Sequence, residues 1–90
     1  MLAIEHINYR HAFNSGFERV SRFSQGTSVK DIGRYVDDAL RYGTIKDLGP
    51  NAYTVEKRFE KPIGTTASGE QASNIRVIVR DGIIQTAFPF

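Results

Sequence analysis

Two histidines, His6 and His11, are the only imidazoles in this 90-residue chain, and Arg10 sits between them and next to His11. Imidazole titrates near neutrality, so it can take or give a proton in a reaction at physiological pH. Their spacing matters. At roughly 100° per residue, five positions of continuous helix place them about 140° apart. Both can therefore reach one reacting group only if the segment bends. His6 and Arg10, at i and i+4, do share a helical face. At the other end of the sequence Arg76, Thr86 and Phe88 lie in Val77–Phe90 or just before it, a run apolar enough to be a buried strand pair. A guanidinium, a hydroxyl and an aromatic ring on one face of a sheet would make an anion site, most naturally for phosphate.

Other chemistries are excluded by composition. With no cysteine there are no disulfides, thiolate nucleophiles or cysteine-ligated metals. Two histidines without a nearby carboxylate pair give poor metal-ligand spacing, so no metal is expected, and no cofactor motif is present. Gly64-Thr65-Thr66 and Ser68-Gly69 do not match GxxxxGK[ST], and no helix start follows them. Twelve Lys and Arg against 10 Asp and Glu give a net charge of +2 with no basic block, a weak signal for an anionic partner. No stretch approaches the roughly 18 apolar residues of a membrane span, and no stable membrane association is expected.

The elements that must position these residues divide the chain. One domain of 90 residues is expected, helical over 1–43 and a sheet over 51–90. Leu2, Ile4, Ile7 and Phe13 give an imperfect helical stripe that Asn14-Ser15-Gly16 interrupts, and Phe17–Phe23 reads as one or two short turns. The stronger helix follows. Thr27 or Ser28 caps it, Asp31 completes a capping box with Ser28, and Val29, Ile32, Val36, Ala39 and Leu40 form its apolar stripe. Gly43 ends it, with Arg41 suited to the last turn. From Asn51 the period becomes two, with Tyr53, Val55, Lys57 and Phe59 alternating against Ala52, Thr54, Glu56 and Arg58. Tyr53, Val55 and Phe59 read as core. A bend at Pro62, a short strand at Ile63–Ala67 and a polar loop at Ser68–Asn74 precede the closing hairpin at Asp81-Gly82. The predicted fold is α+β: N-terminal helices packed on a roughly four-stranded antiparallel meander, with the last strand central.

The hairpin admits two registers. A two-residue type I′ loop at Asp81-Gly82 pairs Arg80 with Ile83 and Val77 with Thr86, leaving Thr86 on the apolar face; the patterning slightly favours it. A three-residue loop with Gly82 in a G1 bulge pairs Val79 with Ile83 and sets Arg76 opposite Thr86, on one face with Ile78, Ile84 and Phe88. One residue of slip flips every side chain, so the register decides whether Thr86 is core or a neighbour of arginine.

The closing Arg76–Phe88 segment, with its basic strand, tight turn and Thr-Ala-Phe-Pro, resembles the last hairpin of bacterial polymorphic toxin nucleases of the barnase/EndoU/colicin/RelE superfamily. His6–His11, HINYRH, is similar to the early segment from which such ribonucleases draw a histidine and basic residues. Size and layout look most like the C-terminal toxin domain of a contact-dependent growth inhibition effector. The resemblance implies a RelE/barnase-like fold and metal-independent cleavage of RNA, commonly tRNA. The ribose 2′-hydroxyl would attack its own phosphate and leave a 2′,3′-cyclic phosphate. It also implies secretion within a larger cell-surface effector, action in the cytoplasm of a rival bacterium, and a cognate immunity protein as partner; whether an elongation factor assists is left open.

On that reading His11, beside the Asn14–Gly16 break, is preferred over His6 as the acid or base. Arg10 supports it, and Arg76 or Arg80 stabilises phosphoryl charge. Thr86 donates to a phosphate oxygen, and Phe88 packs on a base or ribose. Tyr9 and Lys46, like Lys57 and Arg58, are substrate-binding candidates by charge or neighbourhood. Two other readings stand beside it. A RelE-type ribosome-dependent mRNA interferase of a toxin–antitoxin pair fits the size, though +2 is a low charge for it. A non-catalytic binding domain would make Thr86 core and the histidines surface residues.

Overall fold

The structure, a computed structural model, describes residues 21–90. His6, Tyr9, Arg10 and His11, with the helical segments expected before Ser21, lie outside the described residues. Within them the order is β1 (Arg22–Phe23), α1 (Val29–Tyr42), β2 (Thr44–Gly49), β3 (Ala52–Arg58), β4 (Gly64–Thr65), β5 (Gln71–Ala72), β6 (Asn74–Arg80) and β7 (Ile83–Pro89). Strands β2-β3-β6-β7 form an antiparallel sheet, and β1-β4-β5 form a small second one. The α+β class and an antiparallel four-stranded sheet are as expected, but the strand expected at Ile63–Ala67 is not one of the four: only Gly64–Thr65 is extended there, and it joins the small sheet with Gln71–Ala72, a strand inside the expected loop Ser68–Asn74.

Helix α1 starts where its capping box dictates. Ser28 Oγ accepts from the Asp31 N–H at 3.1 Å, and the Asp31 carboxylate accepts from the Ser28 N–H at 3.0 Å. It ends at Gly43, whose N–H donates to the Ala39 carbonyl. A Cβ on Gly43 would lie 2.6 Å from Val55 Cγ1 and 2.8 Å from the Glu56 carbonyl oxygen, so only glycine lets the chain turn this tightly against β3. The helix buries Ile32, Val36 and Ala39 against Val55, Ile75, Val77, Val79 and Ala87, and Phe23 and Ile63 close the cluster. Tyr35 fills the gap between Phe23 (centroids 6.2 Å) and Phe59 (5.1 Å, edge to face). Tyr53 and Phe59 pack on this core with Val55, in agreement with the alternation. The apolar stripe is shorter than its pattern, because Val29 and Leu40 remain exposed.

Other expectations are corrected too. The sheet begins at Thr44 rather than Asn51, since Thr44–Gly49 is a strand. Arg22–Phe23 is extended and pairs with β4, where short helical turns were expected. The last strand, β7, is not central: it ends the four-strand order and, among the described residues, pairs with β6 alone. Edge placement explains why β2 hid in the sequence. It is exposed along nearly its whole length, and Leu48 is the extra residue where the β2–β3 register shifts.

The hairpin follows neither register throughout. Asp81 and Gly82 take φ of 52° and 75°, a two-residue loop with both central residues left-handed, and Arg80 pairs with Ile83. The register then shifts at Gln85. Beyond that bulge Ile78 faces Thr86, Val77 faces Ala87 and Arg76 faces Phe88. The expected pairings of Val77 or Arg76 with Thr86, and of Val79 with Ile83, do not form. The bulge lets Val79 and Ile84 stay on the core face while moving Thr86 to the face of Arg76.

Candidate functional site

Helix α1 covers one face of the large sheet, so the residues alternating with its core partners form the other. The pairings place these side chains in rows across the strands. One row is Thr44, Glu56, Arg76 and Phe88, and the next is Lys46, Thr54, Ile78 and Thr86. Lys46, Leu48, Thr54, Glu56, Arg76, Ile78 and Phe88 line a cavity of about 280 Å³ on this face.

Arg76 is its centre. Its Nε donates to Glu56 Oε2 at 2.6 Å across the β3–β6 pair. Its guanidinium carbon lies 4.5 Å from the centre of the Phe90 ring and 5.8 Å from that of Phe88. Phe90 is held there by two backbone bonds with Asn74, of 2.9 and 3.0 Å, and by Asn74 Nδ2 donating to its carbonyl at 3.1 Å. A guanidinium has five N–H donors. The described residues engage only Nε, so the Nη edge can still take a bidentate oxyanion. Side-chain exposures of 38% for Arg76 and 32% for Glu56 leave the pair open to solvent and to a ligand.

The expected site residues divide into three groups. Arg76, Phe88 and Lys46 come together in the cavity lining, while Thr86 shares their face in the neighbouring row but lies outside that lining, its hydroxyl oxygen buried. Arg80 shares their face but stands at the hairpin turn, exposed and outside the cavity lining. The two histidines, Arg10 and Tyr9 lie outside the described residues. Glu56, Thr54 and Phe90 were not anticipated, whereas Ile78 was expected on this face in the bulged register. The alternation already put Glu56 and Thr54 opposite Val55. What it lacked was the β3–β6 register that sets Glu56 against Arg76.

Two hydroxyls stand out. Thr54 is 5% exposed, and Thr54 Oγ1 and Thr86 Oγ1 are both buried without a hydrogen-bond partner among the described residues. They flank Ile78 in the second row. Among the described residues no group of three His, Cys, Asp or Glu is arranged to hold a metal ion, and no helix is long and apolar enough to cross a membrane.

Chemically the face offers a cation whose Nη donors are unused among the described residues, a carboxylate beside it, a second cation two strands away in the neighbouring row and aromatic rings over the first. An arriving phosphate would draw Arg76 toward itself and release Glu56 to accept a proton. Comparison of the chain with protein-family models, with curated proteins and with solved structures finds no match to any of them.

Proposed function

We propose that this protein is a metal-independent endoribonuclease toxin with a RelE/barnase-like arrangement, cutting tRNA in competing bacteria and restrained by an immunity protein. Delivery within a larger cell-surface effector belongs to the same reading. The observation that supports it is the Arg76 guanidinium on the sheet face opposite α1, tied among the described residues to Glu56 through Nε alone and packed against Phe88 and Phe90.

In the proposed reaction a phosphodiester docks on the free Nη edge of Arg76. Glu56 or a histidine takes the 2′-hydroxyl proton, and the 2′-oxygen forms its bond to phosphorus. The bond from phosphorus to the 5′-oxygen breaks, and an acid protonates the leaving oxygen. The products are a 2′,3′-cyclic phosphate and a 5′-hydroxyl. His11 or His6 serves as the acid, and Arg76 with Lys46 stabilises the charge that develops on the phosphoryl oxygens. Unpaired bases pack against the aromatic side chains at the edge of this face.

The test is incubation of total bacterial tRNA in EDTA with wild type, Arg76→Gln, Glu56→Gln and His11→Ala, each shown to be folded by circular dichroism. Discrete fragments with cyclic-phosphate ends, lost in the folded variants, are expected. Intact tRNA with wild type, but mRNA cut once ribosomes are added, would replace this reading with the ribosome-dependent interferase. No cleavage in either mixture would leave a binding domain.

A further inference from the structure

Charge is distributed differently on the two sides of the molecule. Helix α1 carries both signs equally, Lys30, Arg34 and Arg41 against Asp31, Asp37 and Asp38, and two of those pairs close, Arg34 with Asp31 at 2.6 Å and Arg41 with Asp37 at 3.0 Å. On the sheet face opposite α1, each of four successive rows holds one cation. Arg58 stands in the row of Asn74, then come Arg76 and Lys46 in their rows, and Arg80 stands in the row of Ala52 and Ile83. Glu56 is the one carboxylate among the paired strand residues of this face. Arg58, Lys46 and Arg80 are exposed and form no ion pair among the described residues. Like charges without partners repel and work against the folded state, so such a line points to a polyanion that neutralises it.

Successive rows lie two residues apart along the strands, about 6.7 Å, so the line runs about 20 Å from Arg58 to Arg80. Arg76 and Arg80 are both on β6 and Arg58 is on the neighbouring β3, while Lys46 stands to the side on β2. One cation to a row makes a narrow line rather than a broad patch, and it suits one backbone better than the two of a duplex. Proteins that hold single strands combine such a line with aromatic side chains. Here Phe88 and Phe90 pack against Arg76, the second cation of the line.

We infer that the backbone of a single nucleic-acid strand runs along β6 on this face, its phosphates neutralised by Arg58, Arg76, Lys46 and Arg80. The inference rests on the phosphate-binding reading of Arg76 and adds the form of the substrate, its path and the number of phosphates held. Arg58 and Arg80 grip the strand on either side of the phosphate at Arg76 and touch no reacting atom.

The experiment follows the anisotropy of a fluorescent, mixed-sequence octamer of 2′-deoxynucleotides titrated with the protein in EDTA over a series of salt concentrations. The probe lacks the 2′-hydroxyl, so the proposed reaction cannot consume it. Each phosphate neutralised on a single strand contributes about −0.7 to the slope of log affinity against log salt. Four contacts give about −2.8, a loss of about 50-fold in affinity between about 50 and 200 mM salt. Arg58→Gln and Arg80→Gln should each flatten the slope to about −2.1, a loss of about 20-fold over the same range, and melt close to wild type. Arg80→Lys should keep the wild-type slope. Lys30→Gln removes the same charge from α1 and should leave the slope unchanged, which separates the line of cations from net charge.

Wild-type slopes for Arg58→Gln and Arg80→Gln, or a Lys30→Gln slope flattened as much as theirs, would overturn the inference. So would a duplex of the same length bound more tightly than the single strand. Polyglutamate bound as tightly as the octamer would overturn it too, and would mark the face as a dock for an acidic protein. The two readings fail separately. If wild type binds the octamer as expected but cuts no RNA, the strand path stands and the ribonuclease falls. If wild type cuts tRNA while neither arginine variant alters the slope, the path falls and the ribonuclease stands.

Discussion

Replacing Arg76 by glutamine separates its structural worth from its chemical worth, because the two differ by enough to measure. The ion pair with Glu56 is short, at 2.6 Å, but the arginine side chain is 38% exposed, so solvent screening limits the pair to about 0.5 kcal/mol. The rings at 4.5 and 5.8 Å add about 0.5–1 kcal/mol each at such exposure. Stability should therefore fall by about 1.5–2.5 kcal/mol. At 4–8 °C per kcal/mol for a domain of this size, that is a drop of roughly 6–20 °C in melting temperature. If Arg76 stabilises phosphoryl charge, its loss resembles removal of an oxyanion donor, about 10²–10³ in kcat, or about 2.7–4 kcal/mol of barrier. The assay is the initial rate of tRNA cleavage well below the variant's melting temperature, beside thermal unfolding monitored by circular dichroism. A folded Arg76→Gln protein that keeps more than a tenth of the wild-type rate would refute the reasoning and reduce Arg76 to a tie for β3 and β6.

Other substitutions probe how the fold carries the site. Gly43→Ala should lower stability by about 1–3 kcal/mol in denaturant melts, because its methyl meets Val55 and the Glu56 carbonyl; a neutral result would show that α1 can move off β3. Gly82→Ala, at φ 75°, should cost about 1 kcal/mol, and it tests whether the left-handed loop sets the hairpin. Ser28→Ala should cost about 1 kcal/mol through the lost cap. The backbone N–H of Ser28, then its hydroxyl and Arg34, hold the Asp31 carboxyl below its ordinary 3.8. The stabilisation from this depressed group is fully present above the unfolded value near 3.8 and is lost as pH falls through the lower folded value. Asp31→Asn should therefore flatten the acid limb of a pH–stability profile, and an unchanged limb would contradict the assignment.

Much of this fold was legible because its local signals agree with its packing. The capping box, the 3.6-residue stripe and Gly43 all bound the same helix, and the alternation of Ala52–Phe59 gives the correct faces of β3. Strand β2 was not legible for a physical reason. It lies at the end of the sheet with Ile45 69% exposed, so no buried face imposes a period of two on Thr44–Gly49. The bulge at Gln85 is set by what each face must bury, and neither loop rule contains it. Arg76, Thr86 and Phe88 were visible as residue types, but their assembly depended on that bulge. Glu56 was visible only as a polar-face residue until its cross-strand neighbour was known.

The position of Lys46 on β2 has a consequence for any experiment that neutralises it. An outer strand with exposed Ile45 and Leu48 invites a second chain to add to it, and a charge beside an irregular residue is how such borders resist self-association. Lys46 stands on that border, two residues before the irregularity at Leu48. A Lys46→Leu protein that loses activity could thus be a poorer binder of phosphate or simply a protein stuck to its own copies. Sedimentation of the variant, done before its kinetics, tells solubility from recognition at the one residue where this sheet combines them.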